Sequence, residues 1–140
     1  MAVPTEYSAA NIDLSPRVVY NATIVGSPAA GSITSVCALT FPSFGRLQLA
    51  TGVILEAYVA FTGGTSGVLA TMDIRQTGTS GAVIASSGAT TVVATKLYAM
   101  SVQGVDTAPL AAGVWIIALT IGSGSAPSTV SAVSLVATAV

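Results

Sequence analysis

The stretch VILEAYVAFTGGTSGVLATMDIR, residues 53–75, decides the fold class. In its first part every second residue is apolar, while Glu56 and Tyr58 fall between them on the opposite face. The second part repeats the pattern, with Thr71, Asp73 and Arg75 outward. The expected inward residues are Val53, Leu55, Ala57, Val59 and Phe61, followed by Val68, Ala70, Met72 and Ile74. The glycine-rich residues 63–67 predict a hairpin-type loop between two half-buried β-strands.

The same period of two continues on both sides of this segment. Further strands are predicted at residues 18–24, 33–41, 82–86, within 91–102, at 115–121 and at 133–137, and the run that contains residues 53–61 begins at Leu47 and Leu49. In the second of these, one face carries Ile33, Ser35, Cys37, Leu39 and Phe41. About eight strands and no helix predict an all-β, two-sheet antiparallel sandwich over residues 17–140, most simply a jelly roll. An immunoglobulin-like sandwich is the alternative, although it would place its tryptophan more centrally than Trp115.

The alternation also predicts which residues form the core of this sandwich. Residues that share alternation parity within a strand share a face, so one set should line the core. We expect burial of Val53, Leu55, Val59, Met72, Ile74, Trp115, Ile117 and Leu119.

Charge is scarce, and this excludes several classes of function. Only 6% of the 140 residues are charged, against roughly 25% in an ordinary domain. The net charge of −1 offers no basic surface for nucleic acid. No histidine is present, so histidine-dependent catalysis and histidine-ligated metals are excluded. A single cysteine, Cys37, cannot form an intramolecular disulfide. We therefore predict no enzymatic activity, no cofactor and no structural metal.

The polar surface is built from hydroxyl groups instead of charges. The mean hydropathy is +0.82, yet no run approaches the roughly 20 apolar residues of a membrane-spanning helix, so no membrane partner is expected. Residues 1–16 have no basic start typical of a signal peptide. Serine and threonine supply 33 residues. Such a neutral exterior favours packing against copies or partners, with a hydroxyl-solubilised monomer as the alternative.

Residues 1–16 form a separate unit in this interpretation. Pro4 and Pro16 bracket them, strand alternation is weak, and they contain too few apolar residues to fold alone. We predict an extended N-terminal arm that lies on a neighbouring subunit. The body would then meet copies of itself, with a trimer favoured or a capsid-wide array.

The second half of the chain carries a family resemblance. Its residues are VLATMDIR at 68–75, GAVIASSG at 81–88 and LAAGVWIIAL at 110–119. These resemble small jelly-roll virion proteins of tailed bacteriophages, of the head-decoration, head-fibre and appendage type. The closing AVSL at 132–135 also resembles carbohydrate-binding jelly rolls. The resemblance implies a structural protein of the virion, made in the host cytoplasm.

Candidate sites are few, and each has a structural explanation. Glu56 and Asp73 could form a hydrolytic acid pair, but Arg75 more simply makes a surface ion pair with one of them. Cys37 shares an apolar face and is expected to be an inert core thiol. Trp115 alternates with core residues, whereas Tyr58 is the better exposed candidate for stacking on a sugar. No catalytic, cofactor-binding or metal-binding residue is therefore assigned.

Two functions from different classes follow. The first is a capsid decoration or cement subunit, bound in many copies to a phage head through its arm and a neutral lateral face. The second is a carbohydrate- or receptor-binding module of a phage appendage. The five Asn and Gln residues are few and scattered in the sequence, which favours the structural role.

Overall fold

A computed structural model describes residues 17–40, 52–108, 114–124 and 128–140. The described residues form eight strands and no helix, as the sequence predicts. The strands are β1 Arg17–Asn21, β2 Ser32–Thr40, β3 Val53–Thr62, β4 Leu69–Gln76, β5 Val83–Thr91, β6 Leu97–Asp106, β7 Val114–Ile121 and β8 Thr129–Ala139. Within these residues no helix is long and apolar enough to cross a bilayer. The predicted arm at 1–16, the run at 47–49 and the loop residues 109–113 lie outside the described residues.

The strands form two antiparallel sheets of four. The first sheet has the order β1-β8-β3-β6 and the second β2-β7-β4-β5. This alternation of strands between two four-stranded sheets is a jelly roll and differs from the immunoglobulin arrangement. The β1 and β2 edges lie on one side of the sandwich and the β5 and β6 edges on the other, where each pair is in contact.

The core lies between the sheets, and it contains the residues that the alternation along the strands predicts. All eight residues expected to be buried are at most 1% exposed. The inward sets of β3 and β4 meet residues of β7 and β8, as in the pairs of Met72 with Leu119 and Ala57 with Leu135. Cys37 is also fully buried, as expected.

The predicted face of β2 is wrong in its first half. A β-bulge leaves Val36 without a register partner between Ser35 and Cys37. Because one extra residue reverses the alternation, Ser35 pairs with Ala118 on the outer face whereas Cys37 pairs with inward Ile117. Ile33 is therefore 39% exposed instead of buried.

The loop at residues 63–67 is not a hairpin, contrary to the sequence interpretation. β3 and β4 belong to different sheets, so this loop carries the chain from one layer to the other. Its backbone bonds to the connection between β5 and β6, with Gly63 N donating to Lys96 O at 2.9 Å and Gly67 N to Val92 O at 2.8 Å. The hairpin lies one turn later, where antiparallel β4 and β5 flank residues 77–82.

Strand lengths also differ from the sequence prediction. β1 ends at Asn21 instead of continuing to residue 24, because the Asn21 side chain accepts a hydrogen bond from Thr23 N at 3.0 Å. Such an asparagine turn offers the backbone a partner other than the neighbouring strand. β5 is longer than expected and reaches Thr91.

Candidate assembly and binding surfaces

The two carboxylates considered as a catalytic pair lie on different sheets. Glu56 is on the outer face of β3 and accepts a hydrogen bond from Gln103 Nε2 at 2.9 Å. Asp73 is on the outer side of β4, where Arg75 Nη2 lies 2.8 Å from its Oδ2. The outer faces of a sandwich point in opposite directions, so the hydrolytic pair is excluded. Arg75 does form the predicted ion pair, and its partner is Asp73.

This ion pair is less exposed than the surface pair that the sequence suggests. Asp73 is only 6% exposed, and Arg75 Nη1 is further held by the carbonyl oxygen of Thr79 at 2.9 Å. Ile116, the register partner of Arg75 on β7, is 3% exposed although it lies on the outer side of its strand. The ion pair thus belongs to a tightly packed outer face of the second sheet, and this packing accounts for the pair without a catalytic role.

Asp106 has a role that sequence reasoning missed. It ends β6, is 2% exposed, and its Oδ2 accepts hydrogen bonds from Trp115 Nε1 at 2.9 Å and Gln76 Nε2 at 2.5 Å. Its Oδ1 accepts from Ala108 N at 3.0 Å. The carboxylate therefore ties the first sheet to β4 and β7 of the second. No sequence motif joins these residues.

The described residues show one thiol and no metal-binding cluster. Burial raises the pKa of the Cys37 thiol, whose Sγ lies 3.7 Å from the carbonyl oxygen of Asn21. Desolvation disfavours the thiolate, which is the reactive form. Within the described part of the chain, no three His, Cys, Asp or Glu residues come together as metal ligands. The absence of a metal and of enzymatic activity stays a prediction.

Exposed apolar side chains gather at two opposite edges of the sandwich. Eight of the twelve large hydrophobic residues that are exposed in the described structure lie there. The β1–β2 edge, as we call it, carries Val18, Ile24, Val25 and Ile33. The β5–β6 edge carries Val83, Val93, Leu97 and Val105. Both edges carry outer strands as well as apolar area, and natural proteins usually protect such strands. On β2 the β1–β2 connection covers part of the strand, since Val36 O accepts from Val25 N at 3.1 Å.

Charged groups are scarce among the described side chains of the two edges. Lysine and other charged side chains on outer strands normally prevent unwanted pairing. Among the described side chains, Lys96 is the only exposed charged residue at these two edges. Its Nζ lies 5.6 Å from the ring centre of Tyr98. The edges therefore have the character of contact surfaces.

The outer face of the first sheet collects a different set of groups. Register pairing places Tyr20, Val136, Glu56 and Gln103 in one row across β1, β8, β3 and β6. In the next row Tyr58 stands between Ser134 and Ser101. Tyr20 is 61% exposed and Tyr58 40% exposed, which confirms Tyr58 as an exposed aromatic residue. Glu56 and Gln103, which are distant in the sequence, are thus neighbours on this face, whereas the other described amide side chains bond elsewhere.

Comparison with known proteins supports the fold. No family model matches the sequence, and no curated protein matches it. A structure of the infectious bursal disease virus Gx strain is 13% identical, with a TM-score of 0.60 over 89% of this chain and 32% of that chain. The T13 particle of this virus gives 10% identity and a TM-score of 0.60, covering 87% and 31%. Its VP2 subviral particle gives 13% identity and a TM-score of 0.57, covering 89% of this chain and 32% of that chain.

These similarities have a limited reach. The chain spans about a third of the length of the viral proteins it matches. At such low identity the likeness shows the fold alone, a β-sandwich that proteins of viral particles also contain. The tailed-phage resemblance is carried by the sequence motifs and stays a prediction.

Proposed function

We propose that this chain is a structural virion protein, a capsid decoration or cement subunit that binds in many copies to a phage head. The observation that carries the proposal is the pair of apolar, almost uncharged edges on opposite sides of the jelly roll. A fold that occurs in particles of another virus, and the resemblance to tailed-phage virion proteins, support the same role. The proposed protein acts by assembly and not by catalysis.

The two edges suggest how copies would meet. They lie on opposite sides and differ in sequence, so the β1–β2 edge of one copy would pack against the β5–β6 edge of the next. A head-to-tail contact of this kind closes into a ring or extends as an array. A standard interface buries about 800 Å² per partner, or about a tenth of the 7101 Å² surface of this chain. We favour closure as a trimer.

The introduction of positive charge at the edges tests this arrangement. Val18→Lys with Ile24→Lys changes the β1–β2 edge, and Val83→Lys with Val105→Lys changes the β5–β6 edge. Each double variant should sediment as a monomer in analytical ultracentrifugation, whereas the unchanged chain should form oligomers, because burying an unpaired ammonium group is costly. An equimolar mixture of the two variants should form dimers, since each keeps one working edge.

The outcomes separate the alternatives. Tyr58→Lys is the control, because Tyr58 is also exposed but lies on β3, an inner strand of the first sheet, and outside both edges; it should leave oligomers intact. An unchanged chain that stays monomeric at high concentration and joins no capsid would overturn the proposal. Either double variant forming dimers alone would show that an edge pairs with itself and would refute the head-to-tail contact.

The N-terminal arm is the second element of the proposal. Residues 1–16 precede β1, an outer strand of the first sheet, so the chain enters the sandwich at the β1–β2 edge. An arm starting there would reach the neighbouring subunit directly. Deleting residues 2–15 should leave the far-UV circular dichroism of the sandwich unchanged while weakening oligomers or particle attachment at least tenfold. Attachment as tight as that of the full chain would contradict this role of the arm.

A further inference from the structure

The centre of the first sheet's outer face has the chemistry of a sugar-binding surface. Tyr58 offers an exposed ring, and its row neighbours Ser101 and Ser134 carry hydroxyl groups on both sides. Glu56 and Gln103 stand in the adjacent row. A shallow depression is lined by Glu56, Ala57, Ser101, Val102 and Gln103. We call Glu56, Tyr58, Ser101, Gln103 and Ser134 the central patch.

The hydrogen bond between Gln103 and Glu56 positions two further oxygen atoms, one on each side chain, that can accept hydrogen bonds. Gln103 Nε2 donates to Glu56 Oε1 at 2.9 Å, which orients both side chains. Glu56 Oε2 and Gln103 Oε1 receive no hydrogen bond from the described part of the chain. Two neighbouring acceptors of this kind match a pair of hydroxyl groups on adjacent carbons of a sugar ring, and the carboxylate makes the stronger bond.

A second exposed ring extends the surface along one direction. Tyr20 lies two strands away from β3 and one row away from Tyr58. With strands about 4.8 Å apart and about 3.4 Å per residue, their Cα atoms are about 12 Å apart. Aromatic rings at this separation can support a chain of sugars better than a single sugar. Rigid tyrosine side chains also provide contact area at low entropic cost.

We propose that the central patch, with Tyr20 at its border, binds a neutral oligosaccharide. Glu56 is the only charged residue of the patch, and no described cation stands beside it, so uronic, sialylated and sulfated sugars would be repelled. This site uses side chains other than the apolar ones of the two edges, although Ser101 and Gln103 lie on the outer strand β6 and Tyr20 lies on the outer strand β1. It would give the subunit a means of attaching to a polysaccharide surface.

A printed array of neutral, sialylated and sulfated oligosaccharides tests the proposal. The labelled full-length chain should bind neutral members only. Tyr58→Ala and Glu56→Ala should each lower the apparent affinity at least tenfold, while Leu69→Ala, an exposed apolar control on β4 of the second sheet and outside both edges, should leave it unchanged. Glu56→Gln keeps an acceptor oxygen and removes the charge, so it should retain neutral sugars and admit acidic ones.

Several results would overturn this inference. The inference fails if the unchanged chain binds no neutral glycan or binds acidic glycans equally well. It also fails if Tyr58→Ala leaves glycan binding unchanged. Loss of oligomers on Tyr58→Lys in ultracentrifugation would identify the patch as a protein contact instead. Failure of the array with intact assembly would reject the sugar site and leave the proposed structural role standing.

Discussion

Trp115→Ala should lower the free energy of unfolding by about 3–5 kcal/mol, the range for removing a large buried aromatic side chain. Trp115 is 1% exposed, and its ring packs between the sheets at the level of Leu39 and Gln76, its register partners. The variant also loses the donor to Asp106. Domains are stable by only about 5–15 kcal/mol, so we expect the melting temperature to fall by more than about 10 °C.

Far-UV circular dichroism during heating and in urea provides the measurement, since it does not depend on the tryptophan itself. Trp115→Phe is the control, because it keeps an aromatic ring and loses the indole N–H. It should cost less than Trp115→Ala. A Trp115→Ala variant within about 1 kcal/mol of the unchanged chain would show that this residue is not a central part of the core.

Asp106→Ala should be the second strongly destabilising change, at about 2–4 kcal/mol, because hydrogen bonds to a charged acceptor contribute about 1.5–3 kcal/mol each and do not add fully. The substitution removes the acceptor used by Trp115 Nε1, Gln76 Nε2 and Ala108 N. These donors belong to three parts of the chain, so their loss should loosen one end of the sandwich. Equilibrium urea unfolding measures the change.

Glu56→Ala is the matched control for this prediction. It also removes a carboxylate from the same sheet, but Glu56 is exposed and bonds only to the side chain of Gln103 in the described structure. Its effect should stay within about 0.5 kcal/mol. Equal losses in the two variants would mean that Asp106 does not join the sheets as inferred.

The sequence predicts most of the strands but not how they combine. The inward residues of β3, β4 and β7 were identified correctly, because residues of one parity in each strand face the core. Four residues of the opposite parity, Ala60, Asp73, Ile116 and Ala118, are buried as well, which the alternation does not predict. β2 was misjudged halfway along because its bulge has no sequence marker. The loop after β3 was misread because glycine-rich residues suit a hairpin and a crossing between layers equally well.

The candidate surfaces depend still more on tertiary structure. Tyr58 could be recognised as exposed from its position between inward residues. Tyr20, Glu56 and Gln103 are separated by up to 83 positions in the chain, and only the register of four strands brings them into one row. Asp106 on β6 and Trp115 on β7 likewise come into contact only because the two sheets pack against each other.

The sequence by itself determines the all-β class, the number of strands, most of the core and the near absence of charge. These properties follow from local alternation and composition, which act along one strand at a time. The tertiary structure alone decides the strand order, the two apolar edges, the central patch and the buried bond between Asp106 and Trp115. Those features depend on which strands become neighbours, and pairing between distant strands is set by how all the inward faces can be buried together.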